Sequence, residues 1–442
     1  MKKTFVGLDI GTTKIVCLIA TLNDSNQIEV LGRGKTESIG VHGGDVLNIQ
    51  KTAESIQKAV QQAEQESGVK VCNVSVGVAG YNVQSHINTT YLELSANGEL
   101  ITEEHIQNLI HDQYKLKLEP GLEIIDVIPQ SFKYDAQPYE FSQEQIVGVR
   151  AKKLELTYNY IAANKENIKN IKESVQMAGY NVNSLVLQPI CSAEAVCNQA
   201  EKEAGICLVD IGGGTTDVAI YYKDVVRYTS VIQLAGNVIT KDIEQSCHIT
   251  QKQANMLKEK YGDCIPDSKQ ANEFISIPSF RDQPPKELSL QSLSSVINYR
   301  IKEILEQVLY DIKKSGYEKK LIAGIVLTGG GALFKNITQL TEYITEGIST
   351  RVGNPTEQLC ENVELNKELK NPIYATVIGL LIHSVQNDNY NTISEKSEPE
   401  PEAQQPEPKQ KPKKTKTPKS TTRMDKLSEW FRNLISDAGG IE

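Results

Sequence analysis

The sequence predicts an α/β protein of two related halves flanking a cleft, with an inserted α+β subdomain and a disordered tail ending in an amphipathic helix. Three observations carry this. Buried, β-rich strands alternate with amphipathic helices over most of the 442 residues. A strand–Asp–Gly turn unit occurs twice, as Leu8-Asp9-Ile10-Gly11 and as Val209-Asp210-Ile211-Gly212, 201 residues apart. Over residues 389–423 apolar side chains almost vanish and prolines accumulate. At roughly 150 residues per domain the length holds about two to four units.

The elements follow in order. Thr4–Ile10 and Ile15–Ala20 are continuous apolar runs, as suits strands buried on both faces, joined by the turn Gly11-Thr12-Thr13-Lys14. Another strand lies near 28–34. Residues 52–67 place Ile56, Ala59, Val60 and Ala63 on one helical face. Val71–Ala79 is a further buried strand. Residues 82–163 change texture: 91–94, 123–127 and 153–156 alternate, and a helix runs from about Thr102 to Gln113, which together read as a small α+β insert. A helix at 165–178 resumes the α/β pattern.

The duplicated unit carries the chemistry. Thr12-Thr13-Lys14-Ile15-Val16 aligns with Thr215-Thr216-Asp217-Val218-Ala219 at an offset of 203, which implies two extra glycines in the second turn. Glycines let backbone approach a ligand closely, and consecutive N–H groups in such turns make an anion-binding concavity. Thr hydroxyls and Lys14 add donors for phosphate oxygens. Asp9 and Asp210, one per half, suit a Mg²⁺ that keeps most of its waters. A third cluster, Gly329-Gly330-Gly331, follows the buried strand Ile325–Leu327. The pattern predicts a nucleotide triphosphate clamped between the halves. Neither a GxxxxGK[ST] loop nor a GxGxxG fingerprint occurs, which disfavours those nucleotide folds.

Composition narrows the class. A net charge of -9 argues against nucleic acid as a partner. No apolar run of about 18 residues is present, and the N-terminus is a poor signal peptide. Of the eight cysteines none shows CxxC spacing; buried free thiols in a reducing compartment are expected.

Two phosphate hairpins and a late Gly-Gly-Gly resemble the actin, Hsp70 and sugar-kinase superfamily. Gln188-Pro189-Ile190-Cys191-Ser192-Ala193-Glu194-Ala195 resembles its first connecting helix, and the stretch from Pro372 to Leu381 its second. The stretches Leu234–Ile243 and Val127-Ile128-Pro129-Gln130-Ser131-Phe132 are similar to those of the bacterial cell-division FtsA family. The resemblance implies an actin-like fold that binds ATP and Mg²⁺, with at most slow hydrolysis. It divides the chain into 1–81, 164–206 and 371–388 as one half, 207–235 and 301–370 as the other, 236–300 as a small subdomain, and 82–163 as the family's relocated subdomain. It implies phosphate contacts from Gly11, Thr12, Thr13, Lys14, Gly212, Gly213, Gly214 and Thr215. The nucleoside would lie against Gly236, Asn237, Lys241, Glu244, Arg300, Lys302 and Gly330, with Gly329 and Gly331 also binding the cofactor. Asp9 and Asp210 would hold the metal through water, and Gln188 would position the attacking water, although a helix-start role before Pro189 explains Gln188 as well. Implied partners are the C-terminal peptide of FtsZ at 236–300, further copies of the chain in a filament, and other division proteins at 82–163.

The tail has two parts. Six of the 16 prolines lie between 399 and 418, and residues 408–432 carry a local charge of about +7, a composition that predicts disorder over 389–423. Met424, Leu427, Trp430, Phe431, Leu434 and Ile435 then form a helical stripe within 424–437 that includes the only Trp. A basic stretch followed by a Trp/Phe/Leu face suits an anionic membrane surface, and one helix this short should bind weakly unless assembly adds avidity. The tail thus suits membrane tethering, and the family resemblance implies that what is tethered is FtsZ at the division septum, which makes this the first reading. A sugar or acyl kinase of the same superfamily would need a substrate pocket and a catalytic acid, which 82–163 does not announce. A pilus-assembly actin-like protein would not be expected to end in this linker and helix. An Hsp70-like chaperone would need a β-rich substrate domain after the second half.

Overall fold

The computed structural model describes residues 3–80, 83–267, 272–278, 284–355, 359 and 368–386. The linker at 389–423 and the amphipathic segment at 424–437 lie outside the described residues, as does Cys360.

The first half opens with an antiparallel meander. Strands β1 (Thr4–Ile10) and β2 (Lys14–Leu22) are almost wholly buried, and β3 (Ile28–Glu37) closes the ribbon. A small hairpin, β4 (Val41–His42) and β5 (Asp45–Val46), leads to helix α1 (Ile49–Ser67). Asn48 caps that helix by accepting from the Lys51 N–H, and Gly68 ends it in the left-handed region. Its apolar face, Ile56, Ala59, Val60 and Ala63, is the one the periodicity predicts. Strand β6 (Asn73–Val78) then pairs parallel to β1.

The insert follows. It comprises β7 (Gln84–Glu93), β8 (Glu99–Leu100), α2 (Glu103–Gln113), β9 (Leu122–Tyr134), α3 (Gln143–Ile146), β10 (Arg150–Ala151) and β11 (Lys153–Asn164). Its main sheet runs β7-β11-β9, and it has an apolar centre of its own around Ile106, Phe132, Ile146, Leu154 and Tyr158. The chain returns through α4 (Lys165–Met177) and β12 (Asn181–Leu187), which pairs parallel to β6 and completes the order β12-β6-β1-β2-β3. Helices α5 (Gln188–Val196) and α6 (Gln199–Ala204) lead out of the first half.

The second half repeats the plan. Strands β13 (Ile206–Ile211), β14 (Thr216–Tyr222) and β15 (Val225–Ile232) form the meander. Helices α7 (Gly236–Cys247) and α8 (Gln251–Tyr261), hairpin β16 (Phe274–Ile277) and β17 (Lys286–Ser289), and the long α9 (Leu290–Ser315) follow. Strand β18 (Gly324–Thr328) pairs parallel to β13. After α10 (Ile337–Ile344), β19 (Thr350–Val352) pairs parallel to β18, giving β15-β14-β13-β18-β19. Each half is thus an antiparallel meander whose first strand carries two parallel strands on its other side.

Helix α11 (Ala375–Gln386) crosses back against α5. The crossing is close because Gly379 has no side chain: a Cβ there would lie 1.7 Å from Cys191 O. Behind the cleft one apolar cluster belongs to both halves. It joins Phe5, Leu18 and Val30 to Leu208, Ala219 and Val326, with Val377, Ile378 and Leu381 of α11 between them.

The register corrects one sequence expectation. In the first hairpin Ile10 pairs with Ile15, and the Gly11 N–H donates to Lys14 O. In the second Ile211 pairs with Thr216, and the Gly212 N–H donates to Thr215 O. The two turns have the same length, so no glycines are inserted. The offset stays at 201: Lys14 corresponds to Thr215, and Val16 to Asp217. Matching the Thr-Thr pairs by identity misaligned the strands, because ladder closure and not residue identity sets a hairpin's register.

Candidate functional site

A cavity of about 710 Å³ lies between the halves. Both hairpin turns, the start of α7 and the Gly329–Gly331 cluster line it, together with Asp9, Asp210 and Gln188. The turns meet one another. A Cβ on Gly213 would fall 1.8 Å from Thr13 Oγ1, and one on Gly214 2.3 Å from Thr12 Oγ1. The glycines of the second turn therefore make room for the threonines of the first. Gly329 has φ +79, and a Cβ there would lie 2.2 Å from Asp210 Oδ1, whereas Gly330 faces open space. Backbone N–H groups of Gly236 and Asn237 donate to Gly212 O and Gly213 O at 3.1 and 2.8 Å, which fixes the start of α7 on the second turn.

Three of the carboxylates that line the cavity, Asp9, Asp210 and Asp217, are buried. Asp9 and Asp210 end the equivalent strands β1 and β13, at 6% and 7% exposure. Gln188 Nε2 donates to Asp9 Oδ1 at 3.1 Å. Burial, partly offset by Lys14, pushes the Asp9 carboxyl up to about 6. Asp210 Oδ2 accepts from Ser192 Oγ at 2.7 Å and from Thr376 Oγ1 at 3.3 Å, so both crossing helices hold this one carboxylate. Burial raises Asp210 as well. Asp217, opposite Asp210 in the ladder, is raised well above the usual range by burial and by Asp210, and its Oδ1 has no partner. Lys14 Nζ donates to Ile373 O, and burial pulls its ammonium down to about 8.

A buried carboxylate trio with an orphaned oxygen fits a divalent cation with its water shell. Among the described residues no group of three or more His, Cys, Asp or Glu is placed to ligate a metal directly. Facing these acids, the Thr12 and Thr13 hydroxyls and the Lys14 ammonium fit phosphate oxygens.

The raised Asp9 has a consequence for the ligand-free chain. Between its ordinary value of 3.8 and about 6 the native state holds a proton that the unfolded chain releases. Asp9 thus favours folding below that window, and the contribution is lost as pH rises through it. A displacement of about two pH units corresponds to roughly 3 kcal/mol. Urea unfolding at pH 4.5 and pH 6.5 spans most of the window, and the native chain is expected to lose about 2 kcal/mol between them relative to Asp9→Asn. Equal pH dependence in the two proteins would remove Asp9 as its source.

Lys241, Glu244, Arg300 and Lys302 do not line the cavity. Arg300 is held bidentately by Asp242 at 2.6 and 3.1 Å, and Lys302 sits on the surface beside Glu306 at 3.8 Å. On α9 the positions Ile297, Ile301 and Ile304 face the core, which turns Arg300 toward α7 and not into the cleft. Lys241 is exposed, one helical turn beyond Asn237. Asn255, Lys258 and Glu259 of α8 line the cavity instead. Lys258 Nζ donates to Gly236 O at 3.1 Å and to Thr240 Oγ1 at 2.8 Å. Sequence reasoning missed these, as it missed Asp217, Ser192 and Thr376. The spacing Asn255, Lys258, Glu259, all on one helical face, was the available signal.

Residues 207–379 match the family model described as cell division protein FtsA, and residues 80–162 match the SHS2 domain inserted in FtsA. The chain is 33% identical over 375 residues to the cell division protein FtsA of Neisseria meningitidis serogroup B, covering 85% of this chain and 88% of that one. It is 33% identical over 387 residues to that of Pseudomonas aeruginosa, covering 88% and 90%. Among solved structures it is similar to the PilM-PilN type IV pilus biogenesis complex (TM-score 0.60, 16% identity, 86% of this chain and 98% of that one). It is also similar to MreB5 of Spiroplasma citri bound to ADP (TM-score 0.51, 15% identity, 87% and 97%). The fold is actin-like, and on the strength of its matched relatives the chain belongs to the cell division protein FtsA family.

Proposed function

We propose that this chain binds ATP with Mg²⁺ in the cleft, assembles with copies of itself, and tethers FtsZ filaments to the cytoplasmic face of the membrane at the division septum. The observation that carries the nucleotide part is the paired set Asp9 and Asp210, buried at the ends of equivalent strands with Lys14 between them. Asp9, Asp210 and Asp217 would hold the hydrated ion, while Lys14, Thr12, Thr13 and the second turn hold phosphates. Asn255, Lys258 and Glu259 with Gly236 and Gly330 would face the nucleoside. Bound Mg²⁺ supplies charge neutralisation for the phosphates. Gln188 here orients Asp9 through its amide, which favours a slow ATPase over a committed catalyst. The likeness to MreB5, which was solved bound to ADP, supports the cleft assignment. The likeness to the MamK double helical filament (TM-score 0.51, 12% identity, 86% of this chain and 98% of that one) supports self-assembly.

The remaining parts rest on family membership and sequence. The small subdomain at 236–300 takes the C-terminal peptide of FtsZ, and the insert at 82–163 takes other division proteins. The stripe Met424, Leu427, Trp430, Phe431, Leu434 and Ile435 lies on the membrane. No helix among the described residues is long and apolar enough to cross a membrane. Sedimentation with anionic liposomes tests the tether. The full chain is expected to carry FtsZ into the pellet. The double variant Trp430→Glu, Phe431→Glu should leave both proteins in the supernatant while still binding FtsZ there. FtsZ in the pellet with that variant would sink the membrane assignment, and no FtsZ binding by either protein would sink the partner.

A further inference from the structure

The insert is threaded through the first half but also grips the second. In β9 the ladder with β11 skips Gln130: Thr157 pairs with Ser131, and Tyr158 with Pro129. In β15 the ladder with β14 skips Arg227: Ile220 pairs with Tyr228, and Tyr221 with Val226. A residue skipped in this way is left unpaired, and its side chain is re-aimed out of the ladder. These two bulged residues face each other. Gln130 Nε2 donates to Val226 O at 2.9 Å. Arg227 Nη1 donates to Gln130 O and to Gln130 Oε1, each at 3.1 Å. Arg227 Nε donates to Tyr222 O, also at 3.1 Å, which ties the guanidinium back to the end of its own hairpin. These acceptors are neutral oxygens, so the fixed fork geometry of the guanidinium makes the contact. Neither residue lines the cavity.

We propose that Gln130 and Arg227 form a latch that docks the insert on the second half, so that the insert registers the angle between the halves. The inference rests on the reading of the cleft as a nucleotide site. Strand β15 pairs along β14, and β14 starts at the second turn with Thr216 and Asp217. A rotation of the second half that moves this turn therefore carries Arg227 with it. The insert is rooted in the first half, since β11 runs directly into α4. Gln130 thus moves with one half and Arg227 with the other, and the latch closes at one angle between them. By linkage, any ligand that favours the docked insert changes affinity at the cleft, and a nucleotide changes docking by the same factor.

Hydrogen exchange on the full chain, with and without Mg·ATP, tests this. Mg·ATP is expected to slow exchange at 207–217 and, in the native chain, at 122–134. Arg227→Ala and Gln130→Ala should keep the first response and weaken the second by at least about threefold, and the double variant should match either single one, as for residues acting as a unit. A response at 122–134 that persists in Arg227→Ala overturns the latch. So does a native chain that responds at 207–217 alone. If 207–217 does not respond in the native chain, the nucleotide reading fails, and the latch is decided without ligand. There Arg227→Ala must speed exchange at 122–134 by at least about threefold, and an unchanged rate overturns it.

Discussion

Asp210→Ala is expected to weaken Mg·ATP binding by roughly a hundredfold or more, about 3 kcal/mol, read by calorimetry. Two losses add. The carboxylate that would accept hydrogen bonds from metal-bound water disappears. The Ser192 and Thr376 hydroxyls, which both donate to Asp210 Oδ2 and lie 3.1 Å from each other, are left in a buried site without their acceptor. Ser192→Ala should have a much smaller effect, because Thr376 still holds Asp210. An unaltered affinity in Asp210→Ala would show that this aspartate takes no part in binding the metal–nucleotide pair.

Gly379→Ala is expected to destabilise the chain by about 3 kcal/mol or more, seen as a lower urea midpoint. In an isolated helix the same change would stabilise by about 1 kcal/mol. Here the new methyl would meet backbone: Cys191 O at 1.7 Å, Cys191 C at 2.2 Å and Cys191 Cα at 2.7 Å. Relief requires α5 and α11 to move apart. That movement separates Ser192 on α5 from Thr376 on α11 and loosens their common hold on Asp210. The variant should therefore lose nucleotide affinity as well as stability. A midpoint equal to or above that of the native chain would mean that the helices do not cross this closely.

Much of this was legible in sequence, and the rest was hidden for physical reasons. The duplicated Asp-Ile-Gly was readable because it is local: seven or so residues carry strand, carboxylate and turn together. The equality of the two turns was not, since Thr and Gly both fit tight turns and only the ladder decides. The insert stood out at 82–163 because its strands alternate where the flanking ones are continuous, and the SHS2 match covers 80–162. On the nucleoside side, the residues of α7 and α9 were placed by resemblance, which does not say which neighbour each helix face meets. The resemblance places Arg300 against the nucleoside, and in the structure it is held by Asp242, 58 residues away. Helix α8 buries only Ala254 and Leu257, too few apolar positions to mark a cleft-lining face in the sequence. The Ser192–Asp210–Thr376 group joins three distant segments, and no single-sequence pattern encodes such a meeting.

The apolar cluster behind the cleft bears on how the molecule comes apart. Phe5, Leu18 and Val30 share it with Leu208, Ala219 and Val326, so on that side neither sheet has a complete core without the other. Loss of one half would strip the cover from its twin. The duplicated halves should therefore melt in a single calorimetric transition despite their separate sheets. The insert, with an apolar centre of its own, is the part free to open by itself as a separate exchange unit at lower free energy.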